Sequence, residues 1–264
     1  MIILIREFGN HSNRLFQTLH FEAFCLENHL EFKSLALADM HNLFPATEAR
    51  QRKVVYYFYK ALKKARFINI CIANNPDEIE TYKKYLLQKK NVVVEGWGFR
   101  VIDLTTKYHD HFIERYTLKE SHWHQHPAVM QYLELRAANP KKLFVAVHIR
   151  RGDYRTWMDG KYYFSDETYL AYMDQMEKIA TTASGTTPYL LIFSDVKIEL
   201  PRNKNYLLEQ NDWYIDQYLM SKCDYIIGPP STFSMWASYI GKTRYYHFTS
   251  QSDKFDLVDF KYCQ

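Results

Sequence analysis

Apolar positions along the chain follow two rhythms, unbroken runs and helical spacings, and the two alternate. Ile2-Ile3-Leu4-Ile5 is a short unbroken run stopped by Arg6-Glu7, which predicts a buried strand. After the polar stretch Gly9-Asn10-His11-Ser12-Asn13, Leu15, Leu19, Ala23 and Leu26 recur at helical spacing with Phe16 and Phe24 beside them. Ser12 or Asn13 is the expected N-cap of that helix. From Phe44 to Gln88 the chain is rich in Lys, Arg and Tyr and reads as helices and loops. Asn91 to Trp97 is a second strand, and Tyr108 to Arg136 is helical with a break near Pro127.

Beyond the polar Asn139-Pro140-Lys141-Lys142 the alternation becomes regular. Strands are predicted over Leu143–Ile149, Tyr189–Phe193, Asp224–Ile227 and Thr243–Phe248. Helices are predicted over Asp166–Ala180, capped by Ser165, over Asp212–Lys222, and over Thr232–Ile240, capped by Ser231. Strands alternating with helices imply an α/β fold with parallel sheets covered on both faces. The simplest organisation is two lobes, residues 1–139 and 140–264.

Composition narrows the function classes. With 47% hydrophobic and 17% aromatic residues in 264, the chain can build real cores and is not intrinsically disordered. A net charge of +4 is too small for a dedicated nucleic-acid binder, though local basic loops suit an anion. Cys25, Cys71, Cys223 and Cys263 are too widely spaced for a disulfide framework or a zinc site, so buried reduced thiols are expected. No apolar run approaches the ~20 residues of a membrane span, and the opening run is too short for a signal peptide. The expectation is a cytoplasmic protein with at most peripheral membrane association.

Ligands of open parallel sheets sit beyond the carboxyl ends of strands, and four loops at that edge carry unusual chemistry. The most telling is His148-Ile149-Arg150-Arg151-Gly152-Asp153-Tyr154-Arg155. Adjacent guanidinium groups suit a diphosphate, which each can grip in a bidentate fork; Arg150 pairing with Asp153 to brace the loop is the plainer reading. Pro229-Pro230-Ser231-Thr232-Phe233-Ser234 offers hydroxyls and helix-start amides to an anion, or an ordinary cap. In Gly9-Asn10-His11-Ser12-Asn13-Arg14, Asn10 and Asn13 could hydrogen-bond sugar or phosphate, or merely cap the helix. Ser194-Asp195 ends a strand where a carboxylate suits a ribose or base.

Together these loops resemble the α-1,2-fucosyltransferase family (glycosyltransferase family 11) and its α-1,6- and protein O-fucosyltransferase relatives. His-x-Arg-Arg-Gly-Asp-Tyr at 148–154, Asp195, Asp224-Tyr-Ile-Ile-Gly and Ser231-Thr232-Phe233-Ser234 follow in that family's order. The resemblance covers about 143 to 248; at the N-terminus only Leu15-Phe16-Gln17 aligns, and residues 40–140 align with nothing. It implies a GT-B fold of two facing Rossmann-like lobes. It further implies GDP-fucose as donor and an inverting, metal-independent transfer to a glycan hydroxyl, galactose O2 above all. The chain contains no Asp-x-Asp, and neither a metal nor another cofactor is expected.

Carried over, Arg150, with Arg151 as competitor, would hold the β-phosphate, assisted by Ser231, Thr232 and Phe233. His148 would lie near the nucleotide. Asp216, eight residues before Asp224, would take guanine, or it is a surface residue of its helix. Asp153, Asp159 and Glu7 are the candidate bases, and none is preferred. A same-fold transferase of another nucleotide sugar, or a non-catalytic nucleotide- or glycan-binding protein, would show the same loops.

Overall fold

The computed structural model describes residues 1–5, 9–48, 53–198, 206–209 and 211–264. The chain forms two compact units, Met1–Lys119 with Gln264, and Glu120–Cys263. The first comprises β1 (Ile2–Leu4), α1 (His11–Glu27), β2 (Phe32–Ser34), α2 (Lys53–Lys64), β3 (Asn69–Ile72), α3 (Ile79–Gln88), β4 (Val92–Glu95), α4 (Ile102–Lys107) and α5 (His109–Tyr116). Its sheet has the order β2-β1-β4-β3, all parallel. The central strands β1 and β4 are buried along their whole length, as runs covered on both faces must be. The edge strands β2 and β3 lie within stretches that show no strand pattern, because Phe32-Lys33-Ser34 and Asn69-Ile70-Cys71-Ile72 mix polar and apolar residues.

Helix α1 starts earlier than expected. Its N-cap is Asn10, in extended conformation, rather than Ser12 or Asn13. Both of these lie inside the first turn, since Gly9, at φ +69°, turns the chain straight into the helix.

The second unit comprises α6 (Glu120–Trp123), α7 (Pro127–Ala138), β5 (Phe144–Ile149), α8 (Asp166–Ser184), β6 (Tyr189–Ser194), β7 (Tyr206–Glu209), α9 (Trp213–Lys222), β8 (Tyr225–Gly228), α10 (Thr232–Gly241) and β9 (Arg244–His247). Its boundary precedes residue 139 because α7 belongs to it. Tyr132 donates to the Lys222 carbonyl at 2.5 Å, and Arg136 forks onto both carboxylate oxygens of Asp224 at 2.6 Å. Pro127 stands at the first helical position, where its missing N–H costs nothing.

The second sheet is β7-β6-β5-β8-β9, again all parallel. Its core gathers Val145, Val147 and Ile149 of β5 with Tyr169, Tyr172, Met173 and Met176 of α8 and Phe248. Strand order reverses between β5 and β8. Ligand crevices of such sheets lie beyond the carboxyl ends of the strands at that point, where the loops after β5 and β8 stand here.

Candidate nucleotide-phosphate site

Central β5, buried on both sides, carries its last residues to that edge of the sheet. His148 is buried there with its ring 5.3 Å from that of Phe233, and its Nδ1 has no hydrogen-bond partner. Burial, then the neighbouring charge of Arg150 and His247, lowers its pKa to about 3, so the imidazole is neutral at working pH. Gly228 ends β8 against it. A Cβ at that glycine would sit 2.7 Å from the His148 carbonyl oxygen, too close for any other residue.

Arg150 follows one turn of chain later, with its side chain one-fifth exposed. One Nη lies 3.0 Å from Asp195 Oδ2, at the end of β6, and the other 2.7 Å from Asp153 Oδ1. Asp195 also accepts the Arg151 amide N–H at 2.8 Å. The loop folds so tightly over this carboxylate that a Cβ on Gly152 would lie 2.6 Å from Asp195 Oδ2.

Arg151 is placed quite differently. Its guanidinium is buried, donates to the Phe164 carbonyl and to Asp166, and lies 5.1 Å and 5.2 Å from the rings of Tyr163 and Tyr169. It fastens the loop to the first turn of α8. Of the two adjacent arginines, then, Arg150 alone keeps an exposed face.

The other wall is the start of α10. Ser231 caps it, accepting the Phe233 N–H at 3.2 Å. Thr232 and Phe233 are half-buried in the first turn, whose backbone N–H groups give that end a partial positive charge. Ser234 Oγ donates to the Ser231 carbonyl at 3.0 Å and lies 2.8 Å from His247 Nε2. The Tyr154 hydroxyl donates to the Pro230 carbonyl and so ties the arginine loop to the α10 loop. Gln217 donates to the Phe233 carbonyl at 3.0 Å, joining α9 to the same turn.

Asp216, in the first turn of α9, is 8% exposed and accepts from Asn211 at 2.9 Å, so it is not a surface residue. Ser194 Oγ accepts the Val196 N–H at 3.3 Å and shapes the turn that presents Asp195. Asp159 is exposed in the turn Trp157–Gly160, at φ +57°, with Met158 and Gly160 also left-handed.

Asn10 and Asn13 belong to the first unit, whereas the cluster described here is built from residues of the second. Asn10 caps α1 without a side-chain bond, and Asn13 closes on Gly9, where a Cβ would meet its Nδ2 at 2.3 Å. Glu7 lies outside the described residues.

The sequence places Tyr154 and Ser234 in the candidate loops without a role for either, and gives no sign of Gln217 or His247 as parts of the cluster. Asking which residues end strands at the same sheet edge would have found His247. The cysteines are all buried and free, and no described helix is long and apolar enough to cross a membrane.

The sequence model of Glycosyl transferase family 11 matches residues 82–257. Among solved structures, the chain is similar to NodZ α-1,6-fucosyltransferase soaked with GDP-fucose (TM-score 0.54, 13% identity, 98% of this chain and 96% of that one). It is also similar to fucosyltransferase NodZ from Bradyrhizobium (TM-score 0.52, 12% identity, 94% of each chain). A variant of Arabidopsis thaliana FUT1 in complex with GDP matches with TM-score 0.52 and 11% identity, over 99% of this chain and 73% of that one. At such identities the likeness concerns the fold, which is GT-B-type, with a parallel Rossmann-like sheet in each unit. No curated protein matches the chain.

Proposed function

The chain belongs to glycosyltransferase family 11, and we propose that it transfers fucose from GDP-fucose to a hydroxyl of a glycan acceptor, galactose O2 being the acceptor position we favour. The observation that carries this reading is Arg150. A guanidinium held at the switch point between β5 and β8, opposite the start of α10, is built to receive a diphosphate. Of the similar solved structures, the FUT1 variant is in complex with GDP and a NodZ α-1,6-fucosyltransferase was soaked with GDP-fucose.

In an inverting transfer the acceptor oxygen attacks the anomeric carbon from the face opposite the diphosphate. A new C–O bond forms, the bond to the β-phosphate oxygen breaks with its electron pair, and the acceptor hydroxyl gives its proton to solvent water. The difficulty lies in the negative charge gathering on GDP. Arg150 and the first-turn amides of α10 stabilise it without a metal ion. Asp195 fixes the direction of the guanidinium, while half-exposed Asp153 cedes its Nη group to a phosphate oxygen. Arg151 keeps the loop in register.

In this reading Ser231 and Thr232 add hydroxyl donors, and Phe233 an amide. Neutral His148 lines the floor without adding a charge. Asp216 accepts from guanine N1–H and the exocyclic amine, a pattern that uracil does not offer. An oxocarbenium-like transition state asks little of a base, and no residue is assigned that role; Asp153 serves as an orienting group and Asp159 as a solvent-exposed carboxylate.

The test is a thermal-shift comparison of GDP, UDP, CMP and ADP without added metal. Selective stabilisation by GDP, near 3 kcal/mol at about a hundredfold excess over Kd, is expected. A UDP preference would overturn the fucose assignment, and silence with every nucleotide would overturn the donor site. Turnover of GDP-fucose with galactosides, with the linkage read by NMR, then tests the acceptor.

A further inference from the structure

Helix α2 of the first unit is apolar on both sides, although only one side packs. Its inner residues Val55, Tyr56 and Tyr59 lie against Ile3, Ile5, Leu35 and Val93 of the sheet core. Lys63 also turns inward, to Glu95 at 2.5 Å. On the outer side Val54, Tyr57, Phe58 and Ala61 form a stripe at the i, i+3, i+4, i+7 spacing of one helix face. Val54 is 73% exposed, Tyr57 62% and Phe58 56%. Just past the helix, Phe67 is 82% exposed, presented by the left-handed Arg66 at φ +59°. Four large apolar side chains so exposed within fourteen residues are more than scattered surface hydrophobics.

Charge sets the kind of partner. Lys60 and Lys64 flank the stripe, both exposed, and Arg66 extends the row. From Arg50 to Pro76 the sequence has seven basic residues and no acidic one. The whole chain has 34 basic and 30 acidic residues, so the rest of it is net acidic. A second copy of this chain would bring the same positive row against itself. A nucleic-acid duplex, its base faces already stacked, would find no use for an aliphatic and aromatic stripe along the middle of the row, and the aliphatic Val54 and Ala61 offer an unpaired base nothing to stack on. A bilayer carrying anionic lipid accepts both features at once, rings and aliphatics at the headgroup boundary and ammonium groups among the phosphates.

We propose that the outer face of α2, with Phe67, docks the protein on an anionic lipid surface. The inference does not depend on the donor assignment, because it uses no residue of the candidate phosphate cluster. If that assignment also holds, the surface brings the enzyme to acceptors carried on lipid.

The experiment is flotation of the full-length protein, without nucleotide, with vesicles of phosphatidylcholine alone and of phosphatidylcholine and phosphatidylglycerol in equal parts. Each basic residue near an anionic leaflet is worth about fivefold in partition. Binding to the anionic vesicles should therefore exceed binding to the neutral ones by more than ~25-fold. It should fall in high salt, where screening shortens to about 3 Å. Lys60→Glu with Lys64→Glu should abolish it, and Tyr57→Ser with Phe58→Ser should weaken it about tenfold or more. Val258→Ser, at an 88% exposed apolar position of the other unit, should leave it unchanged.

All these positions are exposed, so unchanged melting curves verify that the variants fold. No binding to anionic vesicles, or undiminished binding by the Tyr57→Ser, Phe58→Ser variant, overturns the proposal. So does a concentration-dependent dimer in sedimentation that the serine variant dissociates, which would make the face a self-interface. Binding to a duplex oligonucleotide with no binding to vesicles would assign the lysines to nucleic acid instead.

Discussion

Arg14 and Arg150 each follow a central strand of their own sheet, yet the two guanidinium groups are used in opposite ways. Arg14 is 4% exposed and closed upon its partners, forked onto both oxygens of Asp39 at 2.7 and 2.8 Å and donating to the Ala36 carbonyl at 2.9 Å. Arg150 is splayed between two carboxylates on different loops, one half-exposed, and it keeps a face toward solvent. A guanidinium forked onto one carboxylate and buried, as Arg14 is, turns no exposed donor toward a ligand. A splayed pair can exchange one partner for a phosphate oxygen while the other holds the side chain in place. The geometry of pairing, more than the presence of arginine, separates a brace from a binder.

The largest effect that can break this comparison is on turnover. Arg150→Lys should lower kcat/KM by at least ~100-fold, because an ammonium cannot span Asp195 and a phosphate, while the melting temperature stays put. A collapse of stability instead would make Arg150 a brace like Arg14. Gly152→Ala should come next. Its methyl group must push Asp195 aside, and GDP affinity measured by calorimetry should fall about tenfold, the size of one lost charge-assisted hydrogen bond.

For the braces the readout is stability. Arg14→Ala and Arg151→Ala should each cost about 2 kcal/mol in denaturant titrations, since each strands a buried carbonyl and removes a charge-assisted pair with a half-exposed carboxylate. If Arg151→Ala lost activity alone, it would rank with Arg150.

These contrasts mark how far the sequence could be read. The strands β1, β4, β5 and β6 and the caps Ser165 and Ser231 were plain, because each is decided by its own few residues. β2, β3 and β7 were not, since their strand character comes from the neighbours they pair with. Arg150 and Arg151 look alike in the sequence. What separates them is Phe164 and Asp166, which α8 brings up from thirteen and fifteen residues away. The burial of Asp216 likewise depends on how α9 packs against its surroundings.

A subtler effect concerns acid. The pKa values of His148, His247 and His20 are each lowered to about 3, first of all by burial. A histidine whose folded pKa is depressed contributes stability that is complete above the unfolded value near 6.5. That contribution is lost as pH falls from there toward 3, because only the unfolded chain takes up the proton. Melting temperature should therefore drop as pH is lowered below about 6.5. His148→Gln should flatten that limb by up to about 1.4 kcal/mol per pH unit, one proton's worth. The smallest expected effect is none at all: EDTA should leave turnover unchanged if Arg150 and α10 carry the leaving-group charge, and a strong loss would hand that task to a metal ion.

The strand order of the second sheet has a consequence for assembly. Val145 pairs with Tyr225 and Val147 with Ile227, so β5 waits for a partner eighty residues downstream. β6, β7, α8 and α9 are all made in the interval. Closing so long a loop is slow, and its entropy is spent before the contacts that reward it can form. The Tyr154–Pro230 tie and the Gly228–His148 approach arise only when that pairing is complete. The candidate phosphate site is thus complete only once the β5–β8 seam has closed. On unfolding it is lost together with the β5–β8 seam, so a nucleotide that grips this site acts as a clasp on the whole second unit.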